Sequence, residues 1–221
     1  MRVKSNIVVL DTETIGVMTS PLVHNAGWHM VDKSGDTTCE RDFRVSEFHY
    51  QHPELLETSD FYIAHRVPQD TACRRFKNVV HQLAEDERAN KIKTMAAYNL
   101  AFDYRAIKAT AKFFGLENDR DVKYILAKNM LDIWKLAKDT VCKEAGYAQY
   151  IESCGDGYTA IGNMKTDAEH VYRYLVGDDN FHEAHTALAD CRIEAYILNY
   201  ILKHYRGIAQ YYIPKDRKVK E

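Results

Sequence analysis

Apolar positions divide the chain into a β-rich opening and a helix-rich remainder. "NIVVLDTETIG", residues 6 to 16, starts with the continuous run Ile7, Val8, Val9 and Leu10, which predicts a buried strand over residues 6–12. A second extended stretch, "PLVHNAGWHMV", leads into the turn residues "DKSGD", and "TTCERDFRVS" reads as the returning strand. Together they predict a three-stranded meander. The spacing then becomes helical. From Asp70 to about Arg88, Ala72, Phe76, Val79, Val80 and Leu83 recur at three- and four-residue intervals. "TMAAY" is short and apolar enough for a buried strand. "FDYRAIKATAKFFG" follows as a helix, with Phe102, Ala106, Ile107, Ala109, Thr110 and Phe113 near one face and Gly115 as its stop.

"NMLDIWKLAKDTV" combines a strand-like start with a helical continuation. "TDAE", Thr166 to Glu169, has the capping-box pattern and opens a short helix through "VYRYL". The last long helix runs from about Thr186 to Tyr205. A meander followed by strands alternating with helices predicts an α/β sandwich around a mixed central sheet. No Pro/Gly/Ser linker divides it, so residues 1–206 read as one domain and 207–221 as a loose charged tail. Segments 44–69 and 143–165 are the least regular and are read as extra loops, where recognition often sits.

Composition narrows the class. The 221 residues are 46% apolar and 28% charged, with a formal net charge of −2. That suits one globular domain and gives no whole-chain polyanion-binding signature. The five cysteines, Cys39, Cys73, Cys142, Cys154 and Cys191, form no CxxC pair. A disulfide framework or zinc cluster is not expected, and a reducing compartment is. The start carries no signal-peptide pattern, and no apolar stretch approaches ~20 residues. A soluble, cytoplasmic protein is the expectation.

Three places carry candidate chemistry. Asp11 and Glu13 are two apart, so on a strand both face one side. They are either two surface acids or a pair held together by a hard cation, which prefers oxygen ligands. Asp103 in "YNLAFDYRAI" lies just after a short strand, where ligands gather in open α/β sheets; the alternative is an acid in a helix's first turn. Asn99 sits at the same turn. In "FHEAHTALADCRIEAYIL", His185 and Asp190 are five apart, about 140° on a continuous helix. With Thr186 as N-cap, His185 lies on the preceding loop and can fold back toward Asp190.

Taken together, "LDTET", "YNLAFD" and "HTALAD" resemble the DEDD 3′-to-5′ exonuclease superfamily in its histidine subtype, over roughly residues 5 to 200. A histidine five before the last aspartate marks that subtype; the tyrosine subtype has its tyrosine four before, where this chain has Thr186. The stretch from Lys165 to Asp190 is similar to small bacteriophage exonucleases. Two departures stand out: Ile15 replaces a threonine frequent in the first motif, and "YAQYIESCGDGYTAIGN" has no counterpart.

The resemblance implies an RNase H-like fold and two Mg²⁺ or Mn²⁺ ions held by Asp11, Glu13, Asp103 and Asp190. Asp11 would bridge both ions, and His185 would be the general base. Thr14, Ile15, Asn99 and Phe102 are the candidate substrate contacts, each with packing or capping as the alternative. His182 is a weaker candidate for the base. Asp132 either supports the site or starts a helix. Arg66, Arg74, Arg75 and Lys77 either meet phosphates or form a solvated face, and the latter reading is preferred. The implied activity is release of nucleoside 5′-monophosphates from single strands, DNA favoured over RNA. A polymerase-associated proofreading subunit and a non-enzymatic nucleic-acid binder are the rival classes.

Overall fold

The computed structural model describes residues 6–205 and 212–213. Strands β1 (Ile7–Ile15), β2 (Leu22–Val31) and β3 (Thr37–Val45) form the antiparallel meander. β1 runs three residues further than the apolar pattern predicts. Thr14 and Ile15 continue pairing with β2 after a bulge between Glu13 and Thr14, so the two acids lie inside a strand rather than at its end. Two short helices follow, α1 (Pro53–Glu57) and α2 (Asp60–Ala64), in a segment read as irregular.

Residues 70–75 depart from the helix expected from Asp70. Cys73–Arg74 form a short strand, β4, parallel to β3. The Arg44 guanidinium donates to the carbonyls of Gln69 and Thr71, which holds this segment extended against β3. The helix, α3, spans Phe76–Ala89, and the Glu47 carboxylate accepts the Phe76 N–H at its start.

Beyond it come β5 (Thr94–Ala97), α4 (Leu100–Phe113), α5 (Arg120–Leu126), β6 (Asn129–Asp132) and α6 (Ile133–Asp139). They are followed by α7 (Ala145–Ser153), α8 (Ala168–Val176), α9 (Ala187–His204) and β7 (Tyr212–Ile213). α5 and α7 were not foreseen. At α8 the capping expectation shifts by one residue: Asp167, not Thr166, is the N-cap and accepts the His170 N–H. Thr166 instead accepts the Trp134 indole N–H. Most of the tail lies outside the described residues, but β7 pairs antiparallel with β6.

The sheet order is β4-β3-β2-β1-β5-β6-β7, with β1, β5 and β6 mutually parallel. It is the mixed, helix-flanked sheet that the pattern predicts. Alternation along β1 feeds two cores. Val8 and Leu10 pack with α3, α4 and α5, whereas Ile7 and Val9 pack with α6 and α9. Asp11 and Glu13 continue the odd-numbered row, and so face α9.

Helix α9 reaches the sheet at Gly27, the β2 residue paired with Asp11. A Cβ at Gly27 would lie 2.3 Å from the Leu188 nitrogen and 2.5 Å from the Ala187 carbonyl carbon. Both are backbone atoms that cannot swing aside. Gly27→Ala is therefore expected to cost roughly 3 kcal/mol or more, about 6–12 °C of Tm in a domain this size. Thermal unfolding of the variant checks this; a wild-type Tm would mean that the close approach does not exist.

Candidate active site

Each acid is held by a different device. Asp11 and Glu13 sit on the central strand. Asp190 sits in the first turn of α9, which begins where the buried Asn25 side chain accepts the Ala187 N–H at 3.0 Å. Thr186 occupies the N-cap position, as expected, but its side chain makes no capping bond; Asn25 takes over that task from across the sheet. One carboxylate oxygen from each of Asp11, Glu13 and Asp190 lies within 4.8 Å of the others.

Asp103 approaches from the other side of β1. Asn99 adopts a left-handed conformation (φ +68°) between β5 and α4, which turns the chain sharply so that Asp103 falls in the first turn of α4. Its Oδ1 accepts from the Thr12 amide at 3.1 Å and the Thr12 hydroxyl at 2.8 Å. Asp132 is buried too and caps α6 by accepting the Lys135 N–H. Its charge still acts on Asp103, so capping and proximity to the site coexist.

The electrostatics are those of acids short of cations. Desolvation, with Glu194, Asp103, Glu13 and Asp190 close by, holds the Asp11 carboxyl well above the usual carboxylate range. Burial pushes Glu13 and Asp103 up to about 7 and Asp190 up to about 8. Asp190 Oδ1 is buried with no hydrogen-bond partner. Three converging carboxylate oxygens, one of them orphaned, fit a hard divalent cation.

His185 lies on the loop just before α9, as expected, in a left-handed conformation (φ +50°) that is uncommon for a side-chain-bearing residue. Its ring meets His65 edge-on at 4.3 Å between centroids and Phe61 at 5.4 Å. Nδ1 is 4.0 Å from a Glu183 carboxylate oxygen. Burial and the neighbouring His65 hold its pKa below the usual histidine value. The loop is fixed from α8: the Arg173 Nε–H donates to the Phe181 carbonyl, and Glu169 accepts the Glu183 N–H.

The remaining candidates separate clearly. Asn99 is exposed and makes no side-chain capping bond. Thr14 and Phe102 are half-buried. Ile15 is 2% exposed and belongs to the main core; this corrects its reading as a substrate contact, since its side chain offers no surface. His182 bonds the Arg173 guanidinium at 2.8 Å, not the acids. Arg74 lies over the Phe43 ring and donates to Gln82. Arg66, Arg75 and Lys77 are exposed.

Four residues near the site escaped the sequence reading: Phe61, His65, Glu183 and Glu194. Glu194 carried a signal, since it follows Asp190 at helical spacing. Phe61 and His65 carried none, because only the fold brings the segment after β3 to His185.

The pKa directions predict a pH dependence. In the unfolded chain these acids titrate near ~4; in the metal-free fold Glu13, Asp103 and Asp190 hold protons to about 7 or 8. Between those limits the native state binds more protons, so stability falls as pH rises. Buried His24 and half-buried His49, lowered to about 3 and about 4, act with the opposite sign but only below ~6.5. From pH 6.5 to 8 the Tm in EDTA should therefore fall, and saturating Mg²⁺ or Mn²⁺ should remove the fall. A flat metal-free profile would count against the buried acids.

No family model and no curated protein matches the chain by sequence. Solved structures do match. A structure of cell-death related nuclease 4 (CRN-4) superposes with a TM-score of 0.59 at 14% identity, over 90% of this chain and 64% of that one. Exonuclease I in complex with the inhibitor BCBP gives 0.61 at 13% identity, over 95% and 44%. The zinc-bound E. coli exonuclease I–ssDNA complex gives 0.57 at 12%, over 94% and 42%. This is the RNase H-like exonuclease fold. The chain spans less than two thirds of each of these proteins. The five cysteines are free thiols, and among the described residues no helix is long and apolar enough to cross a membrane.

Proposed function

We propose that the protein is a metal-dependent 3′-to-5′ exonuclease that hydrolyses single-stranded DNA to nucleoside 5′-monophosphates. The observation that carries this reading is the convergence of Asp11, Glu13 and Asp190 oxygens within 4.8 Å, with Asp103 anchored on the intervening Thr12. The likeness to exonuclease I structures that hold single-stranded DNA supports the substrate class.

In this reading Asp11, Glu13 and Asp190, with Asp103 on the other side of β1, would hold divalent cations. Bound there, such ions neutralise the phosphate, lower the pKa of water and stabilise the leaving 3′ oxygen. His185, kept neutral at pH 7 by its half-buried setting, accepts the proton of the attacking water. Its Nδ1 faces Glu183, which leaves Nε2 as the accepting atom. The exposed Asn99 and the half-buried Phe102 and Thr14 contact the terminal nucleotide, with the aromatic ring stacking on a base without reading its sequence.

The test uses matched DNA and RNA oligonucleotides, labelled at either end, with Mg²⁺ or Mn²⁺. The expected result is stepwise mononucleotide release from the 3′ end, faster on single-stranded DNA than on duplex or RNA. Faster RNA degradation would keep the chemistry and reassign the substrate, because contacts to a 2′-hydroxyl distinguish the two. Binding that survives EDTA with no product under either metal would overturn the proposal.

A further inference from the structure

Helix α9 carries a second buried acid beyond Asp190. Glu194 follows it by one helical turn, so both side chains leave the same face. Glu194 is 3% exposed, and its Oε2 has no hydrogen-bond partner. Asp190 Oδ1 shares that condition. The two orphaned carboxylate oxygens therefore project, one turn apart, toward β1. The charges that act on Glu194 are those of Asp103, Asp190 and Glu183, and Glu194 in turn acts on Asp11.

The same fold treats another buried acid differently. Glu87, on α3, is fully buried and its oxygens too lack hydrogen-bond partners, but the chain supplies it with the Lys128 ammonium at 3.3 Å. The charged groups that act on Glu194 are the acids Asp103, Asp190 and Glu183, and the Tyr98 backbone N–H, the Tyr98 side chain and the Cys191 thiol also lie near it. A buried carboxylate without a cation is costly, and Glu194 shares with Asp190 a buried oxygen that has no hydrogen-bond partner. We propose that Glu194 belongs to the metal centre as a fifth carboxylate, set behind Asp11 and Asp190, where it strengthens the binding of hard divalent cations. This rests on the functional reading above and adds a residue to its site.

The test is Mn²⁺ binding to the full chain at pH 8, by calorimetry and by the Mn²⁺-induced rise in Tm. Glu194→Gln keeps the shape and removes the charge. It is expected to weaken Mn²⁺ binding about 10- to 100-fold, the range for groups that support metal ligands, and to shrink the Mn²⁺-induced rise in Tm. The metal-free Tm should stay level or increase. Glu194→Asp should recover part of the affinity, and Glu194→Met repeats the comparison at similar volume should the amide fail to fold. Wild-type affinity in a folded, uncharged variant overturns the inference. Asp190→Asn separates the two levels. If it loses Mn²⁺ binding while Glu194→Gln does not, only the fifth carboxylate is wrong. If it too binds like wild type, the acidic cluster is not the metal centre.

Discussion

Asp11→Asn should lower strand-degrading activity by about 10³-fold or more while raising the Tm of the metal-free protein. The two effects have one cause. Asp11 lies between Glu13 and Asp190 on one side and Asp103 on the other, desolvated and repelled by each. In the absence of cations it is buried among like charges, so an isosteric neutral side chain relieves the metal-free state. In the proposed metal centre the same carboxylate would serve both groups of ligands. Activity and metal-free stability should therefore move in opposite directions, the pattern expected where strain serves function. Release of mononucleotides with Mn²⁺ and unfolding in EDTA measure the two. A fully active Asp11→Asn protein would end the assignment of Asp11 to the metal centre.

The second large effect is at His185. Removing a general base typically costs 10²–10⁴-fold, and His185→Ala should fall in that range with little change in KM. Its lowered pKa puts the acidic limb of the rate profile below ~6.5 in the wild type, and this limb should vanish in the variant. A structural histidine would behave differently. The fold would suffer, metal binding would weaken with it, and the shape of the pH profile would survive. Because the residue holds φ +50°, alanine retains the backbone strain, so a loss of activity can be assigned to the imidazole.

The elements that were legible in the sequence are those in which one periodicity dominates. The β1–β3 meander follows from the β-branched run that opens β1, two further extended stretches and the turn residues between them, and α4 and α9 from apolar spacing bounded by a turn and an N-cap. The segment before Phe76 was misread because Ala72 matches a helical period, while Arg44 ties Gln69 and Thr71 to β3. Local spacing does not reveal a bond across that distance. Helix α7 was missed because it opens on Ala145 and Gly146 after an N-cap residue, Glu144, that makes no side-chain cap.

At the site, the four acids and His185 were picked out by three short motifs and their joint resemblance to the DEDD exonuclease superfamily. Asn25 and Gly27 were read only as strand residues. Their roles are to fix where α9 begins and how closely it approaches, and these depend on a partner far along the chain. Glu194 shows another limit. Among apolar neighbours at helical spacing it looks like one polar exception in a packing face; its spacing from Asp190 is the sequence signal, and its burial with an unpartnered oxygen appears only in the fold.

Gly27 also bears on the order of assembly. Asp11 and Asp190 meet only once the bare glycine has received the first turn of a helix that lies at the opposite end of the described chain. Contacts of such long sequence separation close late, since the entropy of ordering the intervening chain must be overcome first. Divalent ions therefore have no prepared site in the folding transition state, and their stabilisation should appear in kinetics as slower unfolding at an unchanged folding rate.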